Sequence, residues 1–196
     1  MSRPAVLALH YQNDVLHPDG RIRVGLAADD PARAKVLGAA AALLEGARAR
    51  GWPIIHVRVA YRPDYADLIQ NAPILNAVAT IGAVQDGSWG ADFYEPLAPR
   101  SSLDEFVLKH TRINAFYGTP LEVLLRAVQA DRLLIAGVAT HSVVESTVRH
   151  AVDCGFEVTV AADACASANP AAHEASLASM QLIAQISDVR TAMETL

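Results

Sequence analysis

The chain is nearly without lysine. Of its 16 cationic residues only Lys35 and Lys109 are lysines, leaving 14 arginines, and 21 acidic residues bring the net charge to −5. No basic cluster is present, so the electrostatic footprint that holds a phosphate backbone or an anionic membrane surface is missing. Nucleic acid and membrane are therefore not expected as partners. Cysteine is equally scarce: Cys154 and Cys165 cannot build a disulfide framework, match no metal motif, and read as small buried hydrophobes. The longest apolar runs, Val36 to Leu44 and Leu133 to Val144, are interrupted by glycine or histidine and fall short of the ~20 residues of a membrane span. Met-Ser-Arg-Pro leads straight into a strand-like run with no apolar centre or cleavage site of a signal peptide, so the expected location is the cytoplasm.

What is there suffices for one packed domain over residues 1–196: 52% of the residues are hydrophobic and 19% charged. Ala5 to His10 reads as a buried strand followed by the polar turn Tyr11-Gln12-Asn13-Asp14. That turn occupies the place where a dinucleotide fold needs its glycines, so no cofactor is expected. Asp30-Pro31 opens a helix that Gly51 closes, and Ile54 to Val59 is a second buried strand. Tyr61 to Ser102, punctuated by Pro63, Pro73, Gly82, Gly87, Gly90, Pro96 and Pro99, reads as a long functional loop region with one short helix around Ile74 to Val84.

Further strands are expected at Glu105 to Lys109, Arg132 to Ala136 and Phe156 to Val160, with a short sixth at Val189 to Met193. Helices are expected from Thr119-Pro120 to Ala130, from Ser142 to Cys154, and from Asn169-Pro170 to about Ser187. Alternating apolar strands and helices with short connections predict a three-layer α/β/α sandwich around a mainly parallel sheet of about six strands. In such sheets ligands sit beyond the carboxyl ends of the strands, where strand order reverses. Here those ends carry His10, Lys109, His110 and the segment Gly137 to Val143.

With these segments placed, the chain resembles the isochorismatase-like family of α/β hydrolases, many of whose members are cysteine hydrolases acting on amides. The resemblance rests on Gln12-Asn13-Asp14, Gly87-Ser88-Trp89-Gly90, Asn114-Ala115-Phe116, Gly118 to Glu122, Gly137-Val138-Ala139-Thr140, Thr147 and Ala162-Asp163-Ala164. It implies a site of aspartate, lysine and cysteine, in which a helix N-terminus activates the thiol, the aspartate moves the proton and the lysine holds its charge. This chain departs from that pattern. His10 stands at the aspartate position and Val143 at the cysteine position. The lysine position falls on His110 without a gap, or on Lys109 if a bulge near Thr111 absorbs one residue.

The expectation is a small-molecule hydrolase of amides or vinyl ethers without a covalent thioester. His10 is the proton-transfer group, Lys109 or His110 the electrostatic partner, and the amides around His141 to Val143 the oxyanion site. Trp89, Phe116, Arg112, Ala139, Thr140 and His141 are the expected substrate contacts. One alternative is a family member without turnover, serving as a binding or assembly protein. A second is a metal-dependent hydrolase using His10, His110 and His141. Asp14 is expected to bond within its own turn. The family likeness also implies a homo-oligomer.

Overall fold

The computed structural model describes residues 3–22 and 29–196. Six parallel strands form its sheet: β1 (Arg3–Leu9), β2 (Ile54–Val59), β3 (Glu105–His110), β4 (Ala130–Gly137), β5 (Glu157–Ala161) and β6 (Gln185–Ser187). Every β1 residue from Pro4 to Leu9 is buried whichever way it points. Both faces of the central sheet are therefore covered, as its unbroken apolar sequence requires.

Between the strands run α1 (Asn13–Leu16), α2 (Pro31–Arg50), α3 (Pro73–Ile81), α4 (Leu121–Ala127), α5 (Glu145–Asp153) and α6 (Pro170–Met180), and α7 (Val189–Thr195) follows the last strand. α2 shows how local sequence sets an element's limits. Asp30 Oδ1 accepts the Ala32 N–H at 2.8 Å, Pro31 fills a position with no N–H to satisfy, and Gly51 closes the helix at φ 64°.

The strand order is β3-β2-β1-β4-β5-β6. Successive strands step outward one way from β1 and the other way from β4, so the reversal lies between β1 and β4. There the backbones meet closely: a Cβ on Gly137 would collide with the Leu9 carbonyl oxygen. Gly137→Ala is expected to cost about 2 kcal/mol in urea unfolding. A loss below about 0.5 kcal/mol would mean that the strand ends part freely at this point.

Three sequence expectations need correction. The helix opening at Pro170 ends at Met180, short of Ser187, because the chain turns there to enter the last strand. Val189 to Met193 is helical, because Asp188 Oδ1 caps it through the Thr191 N–H at 2.8 Å, and the sixth strand is Gln185–Ser187 on the edge beside β5. The helix from Ser142 is preceded by a wider π turn over Thr140–Val144, so α5 begins at Glu145. Cys165 is buried as expected, while Cys154 is only partly so, and both are free thiols.

Candidate active site

β2 and β3 pair from Ile54 with Glu105 to Val59 with His110, without a bulge. Alternation along β3 then sends Lys109 and His110 to opposite faces. Lys109, 41% exposed, bonds Asp86 at 2.9 Å beside Arg58, which holds the same carboxylate at 2.9 Å. His110 turns inward, and its Nε2 lies 2.5 Å from Nε2 of His10. The structure therefore brings His110, not Lys109, to His10.

The tautomers of this pair follow from one carbonyl. Nδ1 of His110 lies 3.2 Å from the Asn114 carbonyl oxygen, which can only accept, so Nδ1 carries the hydrogen. A neutral His110 then has a bare Nε2, and His10 must donate to it through its own Nε2–H. That leaves the lone pair of His10 on Nδ1. Asn114 is itself fixed, with its amide nitrogen donating to the Ser146 carbonyl and its Oδ1 accepting from the Phe116 N–H at 2.7 Å.

Both rings are held neutral. Burial pushes the pKa of His10 well below its ordinary value, and the neighbouring His110 adds to the effect. Burial brings His110 down to about 4, against the opposing pull of the Asn114 carbonyl. His10 also sits at φ 58°, in the left-handed region, and its N–H donates to the Val57 carbonyl. Such a conformation costs on the order of 1–3 kcal/mol at a non-glycine residue and is kept only where the surroundings impose it.

His10 lines a cavity of about 600 Å³, its mouth included, at the β1/β4 reversal. Most of the wall is apolar: Val15, Val59, Leu75, Val78, Ile113 and Val143 among others. Ala139, His141, Ser142 and Arg112 also face it. Val143 thus occupies a wall position, although no nucleophile is there. The Ser142 N–H turns back to the Ala139 carbonyl at 3.2 Å, which commits one of the amides expected for an oxyanion.

Other expected contacts lie elsewhere. Trp89 is half exposed and meets His17 edge to face at 4.9 Å, outside the cavity lining. Phe116 stacks flat on His150, with ring centroids 4.8 Å apart, because α5 brings that histidine over it. Thr140 is buried, and its hydroxyl pairs with His173 Nδ1 at 2.8 Å. Asp14 reaches beyond its own turn, accepting from the N–H groups of Arg21 and Val84.

His141 lines the same cavity as His10, and its Nδ1 pairs with Ser167 Oγ at 3.0 Å. Among the described residues no three His, Cys, Asp or Glu side chains converge as metal ligands. The three-histidine reading therefore has no ligand set. Sequence reasoning also missed Tyr61 and the α3 wall of Ile74, Leu75 and Val78. Apolar spacing at Ile74 and Val78 on one helical face was the available signal.

Comparison with known proteins agrees with this architecture. Residues 4–192 match the Isochorismatase domain family. An uncharacterised isochorismatase family protein of Escherichia coli O157:H7, YecD, is 30% identical over 83% of this chain and 82% of its own. A ureidoacrylate amidohydrolase of Methylobacterium radiotolerans is 29% identical over 94% of this chain and 76% of its own. The crystal structure of an isochorismatase family protein from Desulfovibrio vulgaris superposes with a TM-score of 0.87 at 27% identity, covering 99% of this chain and 98% of that one. With its parallel six-stranded sheet and a cavity at the strand reversal, this chain belongs to the isochorismatase family of α/β hydrolases.

Proposed function

We propose that this chain hydrolyses a small metabolite of the amide or vinyl ether class by proton transfer through His10, with no covalent intermediate. The chain of hydrogen bonds from the Asn114 carbonyl through His110 to His10 carries this reading, because it leaves a neutral imidazole with a free lone pair at the wall of the cavity. For an amide, His10 takes a proton from water as the water oxygen bonds to the carbonyl carbon. It returns that proton to the nitrogen as the carbon–nitrogen bond breaks. His110 fixes the tautomer and orientation of His10, as a second-layer partner does for other catalytic histidines. The named amidohydrolase among the relatives supports the amide class.

His10→Ala is expected to lower kcat/KM about 100-fold or more on a panel of amides and vinyl ethers. In the wild type kcat/KM stays level from pH 8 to 6, where His10 is already neutral, and falls only in acid as the imidazole takes a proton. Unchanged turnover in the variant would remove His10 from the mechanism.

One observation favours a second reading. Val143, at the position where the family resemblance puts a nucleophile, lines the cavity, and the wall around it is apolar. A family member that binds its ligand without turnover has that appearance. It predicts tight binding and no product with every substrate on the panel.

A further inference from the structure

Tyr61 and Arg112 both line the cavity, Arg112 at its border with a neighbouring cleft that Ile69 and Asn71 line, and neither bonds an acidic side chain among the described residues. Tyr61 is 1% exposed, yet among the described residues its hydroxyl makes no hydrogen bond, although the ring lines the cavity. Arg112 lines the same cavity, and its charge reaches the Tyr61 hydroxyl. Its guanidinium donates to the Ile69 carbonyl at 3.0 Å and to Asn71 Oδ1 at 2.9 Å, both neutral acceptors. Those two bonds use two of its five N–H groups. Most of the ion pairs in this acidic chain are arginine–carboxylate pairs, for example Arg48 with Glu105 and Arg62 with Asp64. Arg112 forms no ion pair among the described residues.

The nearby negative charge belongs to Asp67, which also acts on Tyr61 but lies outside the cavity lining, with Oδ1 accepting the Arg62 N–H at 2.9 Å. Burial raises the Tyr61 pKa to about 12, so the phenol keeps its hydrogen and remains a donor at neutral pH. The remaining wall near these donors is hydrocarbon, from Leu75, Val78 and Ile113.

We infer that Tyr61 and Arg112 form a carboxylate anchor, so that the cavity takes a small molecule with a compact apolar body and one carboxylate, the carboxylate on these two donors. The inference rests on the reading that this cavity is the substrate site. It names the substrate class and the end of the molecule that is held. Arg112 lies two residues beyond His110 on the same strand end, so the anchor and the proton-transfer pair serve one bound molecule.

Calorimetric titration of the full chain with benzoate, the uncharged benzamide and the cationic benzylamine tests this. Benzoate is expected to bind at least about 10-fold more tightly than benzamide, as a charge-assisted bidentate contact would give. Arg112→Gln is expected to weaken benzoate about 30-fold while benzamide stays within about 3-fold, and Tyr61→Phe is expected to weaken benzoate about 5-fold. The benzamide titration separates loss of the anchor from disturbance of the Ile69–Asn71 segment that Arg112 also holds. Equal binding of benzoate and benzamide, equal loss of both in Arg112→Gln, or no binding of any probe overturns the anchor. If the anchor fails while His10→Ala still abolishes turnover, the catalytic reading stands. If benzoate is preferred while turnover is unaffected by His10→Ala, the anchor stands and the catalytic role of His10 falls.

Discussion

Lowering the pH from 7 to 4 is expected to remove on the order of 6 kcal/mol of folding stability, most of it through buried histidines rather than carboxylates. His56 and His110 are each brought by burial to about 4 in the folded chain, and His10 is pushed down as well. In the unfolded chain each returns to about 6.5. Between those values the unfolded state binds protons that the folded state refuses, so stability is fully present above pH 6.5 and drains away as the pH falls towards 4. Each shift is worth on the order of 3 kcal/mol for His56 and for His110. Whole domains are stable by only about 5–15 kcal/mol, so the loss should bring the chain close to unfolding. Urea titrations at pH 7, 6, 5 and 4 measure this directly. His56→Leu should flatten the profile by roughly 3 kcal/mol, since it removes one of the refused protons. A wild-type profile flat from pH 7 to 5 would show that these rings are hydrated or paired in a way that tolerates charge.

The second large effect is expected at the start of β3, far from the cavity. Glu105 is an edge-strand carboxylate whose side chain is 3% exposed. Its oxygens accept from Arg48 Nε at 2.8 Å, Arg48 Nη2 at 3.0 Å, the Arg100 N–H at 2.9 Å and His56 Nε2 at 2.9 Å. Burial would raise its pKa, but Arg48, the Arg100 amide and His56 outweigh that and bring it to about 2. Glu105→Ala leaves Arg48 without its main partner and a fully buried imidazole with no partner on either nitrogen, because His56 Nδ1 already has none. The expected loss is about 4 kcal/mol, the cost of stranding buried polar groups rather than the net worth of the ion pair. Glu105→Gln, which still accepts one bond, should lose about half as much. Equal losses in the two variants would point to packing in place of the network.

The fold was legible where local and tertiary signals agree. Asp30-Pro31 and Gly51 mark α2 to the residue, and the apolar run Ile54 to Val59 marks β2, because capping chemistry and burial on both faces ask for the same residues there. Asp188 shows the reverse. A run of Val189, Ala192 and Met193 reads equally as strand or helix, and only the cap decides.

The site was legible as a location and less so as a composition. His10 and Val143 could be placed by position along the chain, but whether Lys109 or His110 meets His10 is a matter of one residue of register. No local signal sets it. β2 sets it by pairing with β3 without a bulge. Trp89 and Phe116 carried the motifs of a wall, yet a motif does not say which way an aromatic ring turns. Tyr61 lay in a region with no periodic pattern, and only the folded chain turns its ring into the cavity wall.

The position of β3 in the sheet has a bearing on how the site fails. His10 stands just past the end of a central strand and His110 at the end of an outermost one, with β2 between them. An outer strand is held by hydrogen bonds along one side alone, and its local opening costs less than that of the interior. Fluctuations that lift the end of β3 would part the two imidazoles and carry Arg112 away with them while β1 and β4 stay folded. The pair is thus assembled by the least anchored strand on that side, so its integrity depends on an order that global stability does not measure.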